Sequence, residues 1–225
     1  WCNASNTGEL IGYGQTTAAT KDFNGATTLA IDVHKFHTDQ QKTGREYEVQ
    51  RQKPDGTILS QTNTTYTVVT SGLPAGVSFT YASRVDEFVR TTSLVQLNRT
   101  EYVYSGTTGN LTTQKDFNSG LALFRQTDYQ YVTNTSPSVW ILDKVARRIL
   151  KDVNLAVIST QEYGYDGSLP ASGSPTVGEL TLSRVVSGTQ TIDTKYIYDI
   201  YGNVTETQQF KSYGTTSTQP GGLYS

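Results

Sequence analysis

The sequence predicts an all-β protein built from antiparallel β-hairpin repeats. Three observations predict it: an excess of Thr and Tyr, a recurring period of two, and closely spaced turn signals. The chain has 36 Thr, 19 Ser, 20 Gly and 15 Tyr, which together supply 90 of 225 residues. Thr and Tyr favour a pleated, half-buried surface. The low content of Ala, Glu, Lys and Leu argues against a helical bundle.

The strands are read in chain order. In Arg45-Glu46-Tyr47-Glu48-Val49-Gln50, Tyr47 and Val49 share one face and the charged neighbours take the other. Residues 64–70, 78–82 and 87–97 read as strands, as do Glu179–Leu182 and Lys195–Asp199. Side chains reverse face at each strand residue, so this alternation suits a sheet with one drier face. Pro54-Asp55-Gly56, Leu73-Pro74-Ala75-Gly76, Ser105-Gly106 and Asp166-Gly167 supply turns. Pro presets φ, and Gly admits positive φ. Val139 to Leu150 is ambiguous. It fits a helix with Leu142, Val145, Ala146, Ile149 and Leu150 on one stripe, or two short strands around Asp143-Lys144, and the β context favours strands. Residues 168–178 read as loop. The organisation expected is a lead-in segment over 1–30 able to bear a strand, a hairpin array over 31–212, and a loop-like tail over 213–225.

Composition narrows the functional classes. Eighteen basic and 20 acidic residues give a formal charge of −2, so no basic excess drives phosphate-backbone binding and no nucleic-acid partner is expected. No apolar run reaches the length of a membrane-spanning helix. Cys2 is the lone cysteine and cannot close an internal disulfide. His34 and His37, three apart, are expected on opposite sides of a strand as exposed polar residues, without shared metal ligation. Asp86-Glu87 is an adjacent carboxylate pair, but strand geometry points its members apart. No Gly-x-Ser-x-Gly elbow or phosphate loop occurs. No catalytic residue, metal or cofactor is therefore assigned. Met is absent and the chain opens at Trp1, which is read as a fragment of a longer polypeptide.

A degenerate repeat carries the most information. Its clearest copy runs Tyr196-x-Tyr198-Asp199-x-x-Gly202-Asn203-x-Thr205. An earlier copy is Tyr102-x-Tyr104-Ser105, followed by Gly109-Asn110-x-Thr112. A third is Tyr163-x-Tyr165-Asp166, then the long loop, then Gly178-Glu179-x-Thr181. Tyr129-Gln130-Tyr131 starts a fourth, and the leading tyrosines from Tyr102 onward are 27, 34 and 33 residues apart. The physics is that of a hairpin: paired Tyr rings on one face, an Asp that accepts turn amides, and Gly-Asn in left-handed geometry. One hairpin cannot bury its face, but stacked copies can.

This unit resembles the RHS or YD-repeat family, on the Tyr-x-Tyr-Asp-x-x-Gly-Asn-x-Thr pattern of Tyr196 to Thr205. Tyr47 to Leu59 and Thr127 to Asp152, with Trp140-Ile141-Leu142-Asp143, are similar to family segments more loosely. The resemblance implies hairpins coiled into a long strip enclosing a hollow shell, as in teneurin-like and insecticidal toxin-complex proteins. The role it implies is extracellular and architectural: enclosing a cargo or carrying adhesion. The family's self-cleaving core with its Asp-Pro and Gly-Asp signature has no counterpart here.

Acceptor sequons stand at Asn3, Asn63, Asn98, Asn110, Asn134 and Asn203. Ten Asn at this Ser and Thr content give roughly two or three by chance, so the excess points to a secreted or cell-surface glycoprotein. Three functions are expected. The first is a non-enzymatic segment of an extracellular β-shell, whose partner is the remainder of a longer chain. The second is a self-assembling fibre, sheath or adhesin subunit that pairs with copies of itself through sheet edges. The third is a secreted glycan-binding domain, with a surface glycan or receptor as partner.

Overall fold

The computed structural model describes residues 2–4, 10–210 and 214–215, and every regular element among them is a β-strand. No helix among them is long and apolar enough to cross a membrane. The chain divides into two compact units, Trp1–Gly109 with Lys115–Phe124, and Asn110–Gln114 with Arg125–Ser225.

The first unit holds β1 (Cys2–Ala4), β2 (Leu10–Tyr13), β3 (Gln15–Lys21), β4 (Thr28–Phe36) and β5 (Glu46–Gln52). It continues through β6 (Ile58–Val69), β7 (Phe79–Arg90) and β8 (Leu94–Tyr104). β1 pairs with β2, and β3 to β8 form a meander in which each strand is antiparallel to the next. The division between the units passes through β9 (Leu111–Phe117). The second unit carries β10 (Leu123–Asn134), β11 (Ile141–Lys151), β12 (Val157–Tyr165), β13 (Leu180–Ser187), β14 (Gln190–Tyr198) and β15 (Val204–Gln209), again a meander. A short strand, β16 (Gly214–Thr215), pairs with β14 beyond the end of β15.

Connections differ at the two ends of each meander. In the first unit, 22–27, 53–57 and 91–93 turn tightly, whereas 37–45 and 70–78 at the other end are longer. In the second, 152–156 and 188–189 are tight, and 135–140, 166–179 and 199–203 occupy the opposite end. The repeated motif lies at the end with the longer loops.

Little apolar surface is hidden. Among the described residues only Ala30, Val33, Ala146 and Leu182 are buried hydrophobic side chains, against six buried polar ones. Cross-strand polar rows replace the missing core. In the first unit Gln15, Lys35, Glu48, Asn63, Asp86 and Arg99 stand in one register row. Lys35 Nζ is 2.5 Å from Glu48, and Arg99 Nε is 2.6 Å from Asp86 Oδ1. Arg84 Nε is 2.9 Å from Asp86 Oδ2, aligned too poorly for a hydrogen bond but close enough for ionic attraction. In the second unit the row is Gln130, Arg147, Glu162, Arg184 and Asp193. Arg147 Nε donates to Glu162 at 2.9 Å. Arg184 grips both oxygens of Asp193 at 2.8 Å, with Arg184 4 % and Asp193 2 % exposed. A fork geometry of this kind suits a desolvated ion pair. The hydrogen bond and charge of Asp193 raise the Arg184 pKa, so the guanidinium stays charged.

Several expectations change. Residues 87–97 form two strands, because the chain reverses at 91–93 with Thr91 N on Ser93 O at 3.0 Å. Val139 to Leu150 is neither a helix nor two strands. From Ile141 it is one continuous strand running through Asp143-Lys144. Gln130 pairs with Arg147 and Tyr131 with Val145, so Ala146 is a bulge residue. A bulge shifts the alternation by one, which is how a strand came to carry a helical stripe. His34 and His37 are half-buried rather than exposed: His34 Nδ1 lies 2.5 Å from Glu46, and His37 Nδ1 lies 3.3 Å from Asp39. The boundary drawn at residue 31 falls inside β4. Most of the tail over 213–225 lies outside the described residues.

Loop 166–179 folds back onto β12. A Cβ added at Gly164 would overlap the Ser168 carbonyl oxygen and approach Leu169 C at 3.3 Å and Leu182 Cβ at 3.4 Å. Gly164→Ala is expected to lower stability by about 1–3 kcal/mol in urea unfolding. Gly106→Ala, whose Cβ meets nothing closer than 3.8 Å, is the control and should change stability little.

Candidate functional site

The repeated feature is a lock at the mouth of a hairpin, and it is assembled from three parts. The first is a tyrosine hydroxyl that reaches the strand before it. Tyr198 donates to Leu180 O at 2.8 Å, and Tyr165 donates to Val145 O at 2.9 Å. Tyr131 donates to Leu111 O at 2.8 Å, and Tyr66 donates to Glu46 O at 2.9 Å. Burial raises the phenol pKa of Tyr66, Tyr165 and Tyr198, so each remains a donor at neutral pH.

The second part is a bulge on the strand that follows. Tyr66, Tyr131, Tyr165 and Tyr198 each sit at a register shift, and the residues skipped opposite them are Ser83, Ala146, Thr181 and Thr205. Three of these carry a hydroxyl that turns back onto the carbonyl before the tyrosine. Ser83 donates to Thr65 O at 3.2 Å, Thr181 to Gly164 O at 3.3 Å, and Thr205 to Ile197 O at 3.1 Å. This is the structural task of the final Thr of the repeat.

The third part is the acidic residue after the tyrosine. Asp199 Oδ1 accepts Tyr201 N and Asn203 N, both at 2.9 Å, and Oδ2 accepts Asn203 Nδ2 at 3.0 Å. Gly202 takes φ 81° in this turn. Asp166 does the same for a longer loop. Its carboxylate accepts Thr176 N at 2.6 Å, Val177 N and Gly178 N at 3.0 Å, and Glu179 N at 2.9 Å. Asn203 above all holds the Asp199 carboxyl below its ordinary pKa. For Asp166 burial pushes upward, but the four amides outweigh it and the pKa is lowered.

The motif residues named from sequence are thus drawn together at two mouths: Tyr165, Asp166, Gly178 and Thr181 at one, and Tyr198, Asp199, Gly202, Asn203 and Thr205 at the other. In the earlier copy Ser105 stands in for Asp and its Oγ accepts Thr108 N at 3.2 Å, with Gly109 at φ 74°. Tyr104 packs its ring on Tyr81 at 4.5 Å. Asn110 Nδ2 donates to Leu142 O at 2.5 Å, and Thr112 lies in β9. The leading tyrosines do other work. Tyr163 donates to Gln161 at 3.1 Å, Tyr102 is half-buried, and Tyr196 lines a cleft of about 320 Å³ beside Lys195 and Gln208.

Sequence reasoning missed the Tyr66–Ser83 mouth, because no tyrosine precedes Tyr66 by two and Thr67 replaces the acid. It also missed a second capped turn at the opposite end. Asp22, Asn118 and Asp152 each accept amides two to five residues on, as Asp199 does. Lys-Asp-Phe-Asn at 21–24 and 115–118 and Lys-Asp-Val-Asn at 151–154 mark these turns, although the cap is the Asp of the run at 22 and 152 and the Asn at 118.

The sequon asparagines divide by environment. Asn63 and Asn98 lie within strands and are half-buried, Asn63 accepting Gln61 Nε2 at 2.8 Å and Asn98 donating to Glu87 at 2.8 Å. Asn134 Nδ2 donates to Pro175 O at 2.8 Å. Asn203 is exposed. The side chains of Cys2 and Asn3 lie outside the described ones. Asp86 and Glu87 point to opposite faces, towards Arg99 and Asn98. Among the described residues no group of three His, Cys, Asp or Glu is placed to hold a metal.

No family model matches the chain, and no curated protein does. Among solved structures, the crystal structure of the TcdB2–TccC3–Cdc42 complex aligns with it at a TM-score of 0.28 and 13 % identity. The alignment covers 86 % of this chain and 13 % of that one, and a likeness at this level carries no argument.

Removing one clasp hydroxyl leaves a carbonyl short of a partner. Tyr165→Phe and Tyr198→Phe are each expected to cost about 0.5–1.5 kcal/mol in denaturant unfolding. A second outcome concerns acid. A depressed folded pKa contributes stability that is present above the unfolded value and is lost as pH falls through the folded one. Stability should therefore decline below about pH 4. Asp166→Asn should lower it at neutral pH and flatten that decline, read from urea midpoints across a pH series.

Proposed function

We propose that the chain is a non-enzymatic, architectural segment of an extracellular protein, a run of antiparallel hairpins that holds a stiff sheet. The observation that carries this reading is the tyrosine lock at four hairpin mouths. At each, a phenol pins the strand before it, and at three a hydroxyl pins the bulge after it. Chemistry-bearing side chains are spent on backbone geometry. The carboxylates that the sequence singled out hold amides or guanidinium groups. The YD-repeat resemblance of Tyr196 to Thr205 supports the same reading, and the setting it suggests is a larger β-shell or cell-surface protein.

A second reading is assembly through sheet edges. Among the described residues β3 pairs with β4 alone, and all seven of its side chains are exposed. β15 pairs with β14 alone and shows four exposed side chains in succession. Unpaired edge groups recruit further strands, either from copies of the chain or from its continuation. β3 carries Lys21 and β15 carries Glu206, so a head-to-tail union joins opposite charges.

Sedimentation of the isolated chain over a roughly hundredfold concentration range tests the assembly reading. Mass that grows with concentration and collapses in Thr17→Pro or Thr207→Pro variants is the expected result. A monomer at every concentration would remove assembly. The architectural reading has its own measurement, the mass of the native polypeptide. It falls if that mass is 24.7 kDa and the particle is a lone, compact monomer.

A further inference from the structure

Three connections share one end of the second unit: 135–140 between β10 and β11, 166–179 between β12 and β13, and 199–203 between β14 and β15. They touch in series. Asn134 Nδ2 donates to Pro175 O at 2.8 Å. A Cβ at Gly178 would meet Ile141 Cδ1 at 3.6 Å, and one at Gly202 would meet Glu179 Oε1 at 3.7 Å. On this rim Trp140 is 74 %, Val177 71 %, Ile200 91 % and Tyr201 83 % exposed. We propose that the rim is a membrane-interface site, whose four apolar side chains dip into the headgroup region of a zwitterionic bilayer while the sheet stays in water.

The fold does not require apolar residues there. The 199–203 turn is set by Asp199, Gly202 and Asn203, and Ile200 and Tyr201 fill the two positions that the repeat leaves open. Large apolar side chains gathered on neighbouring turn tips mark a contact surface. Its spacing points to lipid. Strands lie about 4.8 Å apart, so connections two strands apart set their tips roughly 10 Å from one another. Separate knobs do not make the continuous face of about 800 Å² that a stable protein partner covers. Fluid lipid fills the gaps between them. Trp and Tyr suit this depth, with the ring in the acyl boundary and the N–H or O–H in water.

Charge fits the same occupant. Connection 135–140 holds no charged residue, and the other two hold only Asp166, Glu179 and Asp199. Asp166 and Asp199 accept turn amides, and Asp143, Lys144 and Glu179 stand in or beside strands, at the root of the tips. With no cation at the tips, the rim offers no attraction to anionic lipid. The backbone is prepared as well, since a turn entering lipid cannot carry bare amides. Tyr201 N is held by Asp199 Oδ1, and Val177 N and Gly178 N by the Asp166 carboxylate. Gly202 N donates to Asp199 O at 3.1 Å, and Val139 N donates to Ser136 O at 3.0 Å. The caps that shape the hairpin mouths thus also dry the turns behind the apolar tips. The rim lies on a membrane and spans nothing, and it can fail without the architectural or the assembly reading failing.

Tryptophan fluorescence tests it. The chain has two Trp, so a Trp1→Phe variant makes Trp140 the sole reporter. Titration with phosphatidylcholine vesicles should shift its emission to the blue, and lipid brominated near the headgroup end of the acyl chain should quench it. Added phosphatidylserine should not strengthen binding. Ile200→Ser with Tyr201→Ser, in the same background, should weaken partitioning by about tenfold or more. Val177→Ser is the independent second variant and should weaken it less. Unchanged circular dichroism confirms folding of each. The proposal is overturned if emission is unchanged at saturating lipid, if binding needs phosphatidylserine, or if the folded double variant partitions as its parent does. It is equally overturned if the blue shift appears without vesicles, which would place protein on the rim.

Discussion

The structure depends on the tyrosine hydroxyl that crosses from one strand to the carbonyl of its predecessor. A sheet with so few buried apolar side chains lacks the interior that usually fixes register. A bulge placed opposite the tyrosine kinks the following strand and threatens the ladder on both sides. At three of the four mouths the phenol secures one side and a Ser or Thr hydroxyl the other, so three neighbouring strands are tied at one point. Tyr is suited to the task because its ring spans the distance with only two side-chain torsions to order. Phe has the span without the donor, and Ser has the donor without the span.

The charged rows solve the same deficit along the sheet. Burying Arg184 and Asp193 is costly unless each is fully met, and the bidentate pair meets them. The row sets signs in alternation across the strands, Arg147, Glu162, Arg184, Asp193, so a slip of one strand takes its charge out of the row and leaves its neighbours' charges unpaired. In the first unit Asp86 stands in register with Arg99, and its carboxylate is shared by Arg99, Gln96 and Arg84. Such pairs add little net stability. Here they discriminate between registers, which an apolar face does elsewhere.

Fold class was legible because Tyr-x-Tyr, Thr and turn glycines are local signals. The best copy, Tyr196 to Thr205, holds tyrosine, cap and bulge within ten residues, so its chemistry could be read without a structure. At Tyr165 the cap and its amides are separated by a long loop, and only the grammar linked them. The clasp itself was not legible, since its acceptors lie 18 to 20 residues upstream and are backbone atoms with no sequence identity. The Ala146 bulge hid β11 for a related reason: a phase shift erases the period that marks a strand.

The capped turns show why glycine is a poor guide to this chain. Gly25 and Gly202 stand at φ 70° and 81°, three residues after Asp22 and Asp199. Leu121 and Leu155 stand at φ 59° and 64°, three residues after Asn118 and Asp152. A left-handed residue with a Cβ costs of order 1–2 kcal/mol, so the geometry must be imposed from elsewhere. The cap imposes it. Asn118 Oδ1 holds Gly120 N and Ala122 N at 3.0 Å, and Asp152 Oδ1 holds Asn154 N at 2.8 Å and Ala156 N at 2.9 Å. Those bonds fix the amides on either side of the leucine and leave it one conformation. The invariant of the turn is therefore the side-chain oxygen at its start. Glycine is what relieves strain where it happens to be present, which is why Asp55, with Gly56 beside it, read as a turn while Asn118 and Asp152 did not.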